Sequence, residues 1–164
     1  MTLLLILIVN VVLMFGLVVF FGAPYLPTFN KQTETALDLL ALAPGHTLLE
    51  LGSGDGKVLV ASAKRGIKSV GYELNPILFI YSWLRTRKYS GLVKVVWGNY
   101  WHKEWPVTDG IYVFLLDKYM KKLDKTIVQK YPSKSIKLVS FAFKIPGKKS
   151  VKTKQGLHLY IYGN

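Results

Sequence analysis

The sequence contains no cysteine in its 164 residues, which excludes a disulfide framework, a thiolate-bound metal and a thiol nucleophile. Its three histidines, His46, His102 and His158, are spaced unlike any common metal-ligand set, so we expect no metal site. Acidic residues are also scarce, since 9 Asp and Glu stand against 22 Lys and Arg and leave a formal net charge of +13. This imbalance predicts an anionic partner.

Charge is absent from the first 30 positions. Residues 3–22 are an apolar run in which Asn10 is the only polar side chain, and a helix of that length, at about 1.5 Å per residue, would cross a hydrocarbon layer of ~30 Å. Because no Lys or Arg precedes the run and it is longer than a signal-peptide core, it favours a transmembrane helix over a signal peptide. A buried core helix is a further alternative, although such helices normally keep one polar face.

All the basic residues follow this run, so the positive-inside rule predicts a single-pass membrane protein whose body lies on the cytoplasmic side, or on the matrix side in a mitochondrion.

Residues 118–154 hold 12 lysines and one acid, Asp124. An anionic lipid surface suits this segment, because each lysine near such a surface contributes about 1 kcal/mol. The alternative is a solvated basic face. We expect no nucleic-acid partner, because the sequence carries no base-reading motif.

The remaining chain alternates between helix and strand patterns. Apolar spacing predicts a helix over residues 33–43, and further helices are predicted over 55–66, 75–89 and 117–131. Strands are predicted over 46–52, 67–74, 92–98, 110–116, 135–145 and 157–163, with a lysine-rich turn over 146–155. This alternation predicts an α/β fold, a Rossmann-like, doubly wound and mostly parallel sheet that binds its ligand at the carboxyl ends of the strands.

We therefore divide the chain into a transmembrane anchor at 1–22, a pre-domain segment with the first helix at 23–45, and an α/β domain at 46–164. The glycine-rich turn at 52–56, "GSGDG", joins the first strand of that domain to the next helix. A dinucleotide-binding fingerprint would need glycine at Lys57, and a phosphate-binding Walker loop would need a hydroxyl residue at Val58. Both interpretations of the turn are disfavoured.

Polar residues at successive strand ends indicate a different ligand. Glu50 precedes the glycine turn, where a carboxylate would repel a pyrophosphate but attract the positive charge of S-adenosylmethionine. Glu73 ends the second strand, where it could bind both hydroxyls of a ribose. Asn99 and Tyr100 follow the third strand, within reach of an adenine. Each has a simpler alternative: Glu50 could interact with a helix dipole, Glu73 could be a loop charge, and Asn99 could be a turn residue.

The stretches "ELGSGDGK" and "GYELNP" resemble the cofactor motifs of class I methyltransferases. More narrowly, "APYLPT", "LLELGSGDGKV", "GYELNPILFIYSWLRTRK" and "VFLLDKYMKKL" resemble the small membrane-anchored protein-lysine methyltransferases that modify ATP synthase and the adenine nucleotide translocase, and their prokaryotic relatives. The similarity covers roughly residues 20–147. It implies a seven-stranded sheet, S-adenosylmethionine as donor, and a lysine of a membrane-associated protein as acceptor.

Two departures from this family pattern lead to further expectations. Asn99 stands where the family usually has an acid, and the tail beyond Gly147 is short, so we expect one helix or strand of the full sheet to be missing. We assign the donor site to Glu50, Gly52, Ser53, Gly54, Asp55, Gly56, Glu73, Leu74, Asn75, Asn99 and Tyr100.

For the acceptor side, we predict that Asp117 ends the fourth strand and orients the amine. Its alternative role is to cap the helix that begins at Lys118. Tyr25 and Thr28, just after the anchor, are predicted to close over the cofactor or to line the acceptor entrance. Two other functions remain open: N-methylation of a phospholipid or small amine, and a catalytically inactive, membrane-tethered binding module.

Overall fold

The computed structural model describes residues 30–163 and, before them, positions 2, 4–6 and 9, which are helical. Within these residues no helix has both the length and the apolar character needed to cross a bilayer. Most of the predicted anchor lies outside the described residues, and so do Tyr25 and Thr28. The expectations placed on them remain predictions.

A seven-stranded sheet forms the centre of the domain, in the order β3-β2-β1-β4-β5-β7-β6. Strands β1 to β5 are parallel, whereas β7 runs antiparallel between β5 and β6. The strands are β1 (Thr47–Leu51), β2 (Lys68–Glu73), β3 (Val93–Trp97), β4 (Gly110–Val113), β5 (Ile136–Phe141), β6 (Lys152–Lys154) and β7 (Leu157–Tyr162). Because β1 lies between β2 and β4, the strand order reverses there, which is where such sheets open a ligand crevice.

Within residues 30–163, four helices accompany the sheet, and both faces are covered as predicted. They are α1 (Asn30–Leu40), α2 (Lys57–Lys64), α3 (Pro76–Thr86) and α4 (Asp117–Lys130), with short 3-10 turns at Arg87–Tyr89 and Tyr100–His102. Helix α1 packs on α2, β5 and β7, and α3 packs on β2, β3 and α2. Helix α4 covers the opposite face with Met120, Leu123 and Ile127.

The core divides into an apolar cluster on each face of the sheet. In β1, Leu48 belongs to the α1 cluster, whereas Leu49 belongs to the α4 cluster, as the alternation of side chains along a strand requires. Both side chains are fully buried. The central strands β1 and β4 are buried along almost their whole length, because parallel strands covered on both sides have no solvent face.

Local signals in the sequence fix two helix ends. The side chain of Asn75 accepts hydrogen bonds from the backbone N–H groups of Ile77 and Leu78, and Pro76 is the first residue of α3, as predicted. Gly66 follows α2 with φ +70°, a conformation that favours glycine. Helix α1 ends earlier than predicted, because Ala41 adopts a left-handed conformation (φ 45°).

The sheet has all seven strands that the resemblance implied, so the expectation of a missing strand is wrong. The additional strand, β6, lies within the predicted turn 146–155 and pairs with β7. Residues 142–163, which follow β5, contain no helix. Two strands end well before their predicted bounds, whereas the others end within one residue of them: β4 ends at Val113, and β5 ends at Phe141, where Ala142 turns to φ 68°.

Candidate functional site at the carboxyl ends of β1 and β2

The glycine turn after β1 contains three left-handed residues, Gly52 (φ 93°), Gly54 (φ 52°) and Gly56 (φ 72°). A Cβ atom on Gly56 would lie 2.5 Å from the Ser82 Oγ, so glycine is needed there for α3 to pack against the turn. A Cβ on Gly52 would meet no atom of the described residues within 4 Å. The turn is therefore closed by protein at Gly56 and open at Gly52, where a ligand can approach the backbone.

Hydrogen bonds hold this turn against the end of β2. The N–H groups of Gly52 and Ser53 both donate to the Tyr72 carbonyl, at 3.0 and 2.8 Å. The Gly54 N–H donates to Glu73 Oε2 at 2.7 Å. The carboxyl ends of β1 and β2 thus form one rigid edge.

Glu73 ends β2 and is only 7% exposed. Its second oxygen, Oε1, accepts from the Asn75 N–H at 2.8 Å. Burial raises the pKa of Glu73, and backbone N–H groups of Asn75, Gly54 and Leu74 partly oppose the rise. Since each carboxylate oxygen can accept two hydrogen bonds, Glu73 keeps acceptor capacity for a pair of hydroxyl groups.

Glu50 lies in β1 and is 3% exposed. Its Oε2 finds no hydrogen-bond partner among the described residues. Burial raises the pKa of Glu50 well above the ordinary value, and the charges of Asp55 and Glu73 add to the rise. An unpartnered buried carboxylate is costly, so this position suits a ligand that brings positive charge.

The two residues between the glycines differ in their surroundings. Ser53 is buried, and its Oγ has no partner within the described part of the chain. Asp55 is held on both sides, because Oδ1 accepts from the Lys57 N–H and Oδ2 pairs with Arg85 at 2.5 Å. Asp55 therefore accepts from the first backbone N–H of α2 and ties the turn to α3.

After β3, Asn99 takes the role of a turn residue. Its Oδ1 accepts from the Trp101 N–H at 3.0 Å and begins the 3-10 turn. The Tyr100 side chain is half-buried; burial raises its pKa, and the charges of Tyr119 and Glu73 add to the rise. Tyr100 therefore lies at the same edge as Glu73 and keeps its hydroxyl proton at neutral pH.

Two further residues predicted for the donor site contact it mainly through the backbone. The Leu74 carbonyl accepts from Trp97 Nε1 at 3.2 Å, and the Asn75 side chain caps α3. Both follow Glu73 directly in the sequence. Their main role in this structure is to set the direction of the chain between β2 and α3.

Asp117 lies at the start of the predicted helix 117–131, but it neither ends a strand nor occupies the cap position of that helix. Strand β4 ends at Val113, and Asp117 is the first residue of α4 rather than a strand end. The residue in the cap position is Leu116, so Asp117 is not the N-cap either. The Asp117 side chain is exposed, and a negative charge in a first helical turn interacts favourably with the helix dipole.

An aromatic cluster beside Glu73 was not predicted from the sequence. The ring centroids of Tyr100 and Trp101 are 4.9 Å apart, and those of Trp101 and Tyr119 are 6.4 Å apart. The Lys122 ammonium lies 4.3 Å from the Trp101 ring centroid. The density of aromatic residues in "NYWHKEW" is the signal that could have indicated it.

The residues present fit S-adenosylmethionine. Glu50 offers a buried acceptor for a positive charge, Glu73 offers paired acceptors for a ribose diol, and the turn is open at Gly52. The same acids oppose a phosphate-rich ligand. The carboxyl edge of β1 and β2 is the expected place for such a cofactor in this topology.

Comparison with known families identifies the family to which this chain belongs. A sequence model for the ANTKMT methyltransferase domain matches residues 50–152. The chain belongs to this methyltransferase family. The match begins at Glu50 and includes the glycine turn, Glu73, Asn99 and Asp117. It therefore covers every donor-site residue that we assigned.

Curated relatives within the methyltransferase family are lysine N-methyltransferases. The human lysine N-methyltransferase of ATP synthase is 33% identical over 106 residues, which cover 63% of this chain and 45% of the relative. This chain thus spans about half the length of that protein. A protein-lysine N-methyltransferase of Saccharolobus islandicus (strain REY15A) is 26% identical over 152 residues, 85% of this chain and 94% of the relative.

Solved structures share the fold of this methyltransferase domain. An RNA methyltransferase from Salinibacter ruber, in complex with S-adenosyl-L-homocysteine, superposes with a TM-score of 0.73. It is 20% identical and covers 84% of this chain and 92% of its own. The likeness concerns the fold, which is the Rossmann-like methyltransferase fold predicted from the sequence.

Proposed function

We propose that this protein transfers a methyl group from S-adenosylmethionine to a lysine side chain of a membrane-associated protein. The observation that carries the proposal is the pair of buried carboxylates, Glu50 and Glu73, at the ends of adjacent strands. Membership of the ANTKMT methyltransferase family and the named activity of the relatives support it. Two desolvated acids at one edge are costly to maintain, which argues against an inactive binding module.

On the donor side, S-adenosylmethionine would supply an activated methyl group on a positively charged sulfur. Glu50 would face positive charge with its free oxygen, and Glu73 would accept hydrogen bonds from the ribose. Gly52 would let the backbone approach the ligand. These residues bind and orient, which is the main contribution that a displacement between two held reactants requires.

On the acceptor side, a lysine must lose a proton before it can act as a nucleophile, and its reference pKa is about 10.4. The cluster of Tyr100, Trp101 and Tyr119 would provide an apolar wall beside Glu73. Removing an amine from water lowers its pKa, so such a wall favours the neutral form. The protonated Tyr100 hydroxyl can also accept a hydrogen bond from the amine and orient it.

The test is to incubate the full chain with S-adenosylmethionine carrying a labelled methyl group and with membranes of the host. Label recovered as methyl-lysine after protein hydrolysis is the expected result. A Glu73→Ala variant is the control for donor binding, and a Glu34→Ala variant, which alters an exposed acid of α1, is the matched control. Label in the lipid extract instead would favour a phospholipid N-methyltransferase, and no label together with no donor binding would favour a binding module.

We also propose that residues 3–22 form a membrane anchor, with the catalytic body on the cytoplasmic side, or on the matrix side in a mitochondrion. The apolar run and the position of every basic residue after it support this orientation. Tyr25 and Thr28 would then lie close to the membrane, at the acceptor entrance. A chain lacking residues 1–22 should keep its donor affinity and lose activity on acceptors in intact membranes; equal activity of both chains would remove the anchor from targeting.

A further inference from the structure

Helix α3 turns its large apolar side chains toward solvent. Ile77, Ile80, Tyr81 and Leu84 have the i, i+3, i+4, i+7 spacing of a single helix face, and each is between 43% and 54% exposed. That face normally packs on a core. In α3 it is the outer surface of the domain.

The inner face of α3 is small and polar. Ser82 and Thr86, one turn apart, are the buried residues of this helix. Ser82 contacts the glycine turn, where it leaves no room for a Cβ on Gly56. The orientation of α3 is thereby fixed, and the helix cannot rotate its apolar face inward without breaking this contact.

The exposed apolar surface is concentrated on this helix. Between residues 30 and 163, ten large apolar side chains are exposed, and five of them lie on the 11 residues of α3. The other five are spread over the strands, loops and α4: Trp97, Val107, Val128, Val151 and Ile161. Single exposed apolar residues are ordinary on a protein surface, whereas a contiguous group marks a contact site.

The rim of this face is aromatic and cationic. The Arg87 guanidinium lies 5.4 Å from the centroid of the Trp83 ring, and both side chains are exposed. Lys88 follows, and Arg85 lies on the opposite flank. Tryptophan, tyrosine and basic residues around an apolar stripe are typical of helices that lie in the interface of an anionic membrane.

The chain also enters the described domain on this side. Asn30, the first residue of α1, lines a cavity of about 300 Å³ together with Arg85 of α3 and residues of α2. The apolar run 3–22 ends eight residues before Asn30, a separation that an extended chain can span over at most roughly 28 Å. A bilayer that holds the run would therefore lie near α3.

We propose that the outer face of α3 is a membrane-contact surface that lies in the boundary between headgroups and acyl chains of an anionic bilayer. The proposal rests on the membrane location proposed above, and its first test depends on neither the acceptor nor catalysis. It assigns the apolar stripe to the acyl chains and the basic rim to anionic headgroups. Helix α3 is joined to the carboxyl ends of β1 and β2 through Asn75 and Arg85. Membrane contact of α3 would therefore bring the proposed cofactor site close to the membrane surface.

The absence of native cysteine makes a direct test possible. Ile80→Cys and, as a control on α4, Val128→Cys change residues that are equally exposed at 53%. Each full-length variant is labelled with an environment-sensitive fluorophore and reconstituted into vesicles of phosphatidylcholine and phosphatidylglycerol, with or without brominated acyl chains. We expect brominated lipid to quench the probe at position 80 several-fold more strongly than the probe at position 128.

Equal, weak quenching at both positions would overturn the proposal. A blue-shifted probe at position 80 that lipid does not quench would also overturn it, since the face would then be covered by the chain's own first 29 residues or by a second copy. Calorimetry with S-adenosylmethionine on the same samples tests the proposed function separately, because donor binding does not depend on the lipid contact of α3.

A second pair of variants tests the surface without a probe. Ile80→Glu with Leu84→Glu places two acids on the face, and Val128→Glu with Gln129→Glu is the control on α4. The first variant should lose most of its activity on acceptors in intact membranes and keep its donor affinity and its activity on detergent-solubilised acceptors, while the control should keep all three. Unchanged activity of the α3 variant on intact membranes would contradict the proposal.

Discussion

The end of β1 and the end of β2 each bury a glutamate, and the two carboxylates differ in their hydrogen bonds. Glu73 meets backbone N–H groups at both oxygens, whereas Glu50 keeps one oxygen without a partner among the described residues. Burial raises the pKa of both. The difference indicates that Glu73 is held by the protein itself, whereas the environment of Glu50 suits a ligand that brings positive charge.

The largest effect is expected from removing the structural acid. Glu73→Ala should weaken S-adenosylmethionine binding by about 100-fold, because a buried carboxylate that accepts from two hydroxyls contributes roughly 3 kcal/mol. Calorimetric titration measures the change, and circular dichroism verifies that the variant is folded. Affinity within a factor of three of the wild type would remove Glu73 from the donor site.

Replacing a glutamate by glutamine keeps the shape of the side chain and removes its charge. We expect this change to have opposite effects on stability at the ends of β1 and β2. Glu73→Gln is expected to lower the free energy of unfolding by about 1–3 kcal/mol, because an amide nitrogen cannot accept the N–H of Gly54 or Asn75. Urea denaturation of the unliganded protein measures this. If Glu73→Gln were as stable as the wild type, the two backbone contacts would not be what holds Glu73.

The matching substitution in β1 should change the free energy of unfolding in the opposite direction. Glu50→Gln is expected to raise the free energy of unfolding by about 1 kcal/mol at pH 7, because it removes a buried charge that lacks a full set of partners. Donor affinity should fall at the same time, since the positive charge of the ligand loses its counter-charge. A variant that gains stability and keeps full donor affinity would contradict the role given to Glu50.

The pH dependence follows from the direction of the pKa shift of Glu50. As pH rises above the ordinary value of 4.5, the unfolded state ionises first, so the wild type loses stability until the pH passes the raised pKa of the folded state. The stability advantage of Glu50→Gln should therefore be small at pH 4.5 and grow toward pH 7. Denaturation curves at several pH values measure it, and a constant difference would show that Glu50 does not titrate in this way.

The smallest effect is expected at the end of β3. Asn99→Asp should change the free energy of unfolding by less than about 0.5 kcal/mol, because aspartate accepts the Trp101 N–H as well as asparagine does. If Asn99 acts only as a turn residue, donor affinity should change little as well. A clear gain in donor affinity would show that a third acid at this edge takes part in binding.

Much of the fold could be predicted because its signals are local. The cap at Asn75 and the glycine at 66 fixed helix ends within a few residues, and the acids at the ends of β1 and β2 come together because parallel strands end at one edge. The features that were predicted less well depend on longer-range contacts. The end of β4 depends on its pairing with β1 and β5, and this strand ends at Val113 rather than at the predicted residue 116.

Other features have no local signal at all. Strand β6 has three exposed residues with no apolar alternation, and it exists only because β7 offers it a partner. The spacing of Ile77, Ile80 and Leu84 predicts a helix face but cannot tell whether it points inward. That choice is made by Ser82, whose small side chain fits against the distant glycine turn. The position of Tyr119 beside Trp101 likewise depends on how α4 packs on the sheet.

The strand at the edge of the sheet, β6, also affects how copies of this protein behave toward one another. An open sheet edge offers unpaired N–H and C=O groups on which a foreign strand can add, and long, apolar edges therefore lead to aggregation. Here the edge is three residues long, fully exposed, and carries Lys152 and Lys154. The lysines of two such edges repel each other. We therefore expect that, in concentrated solution, the sheets of two molecules do not join through β6.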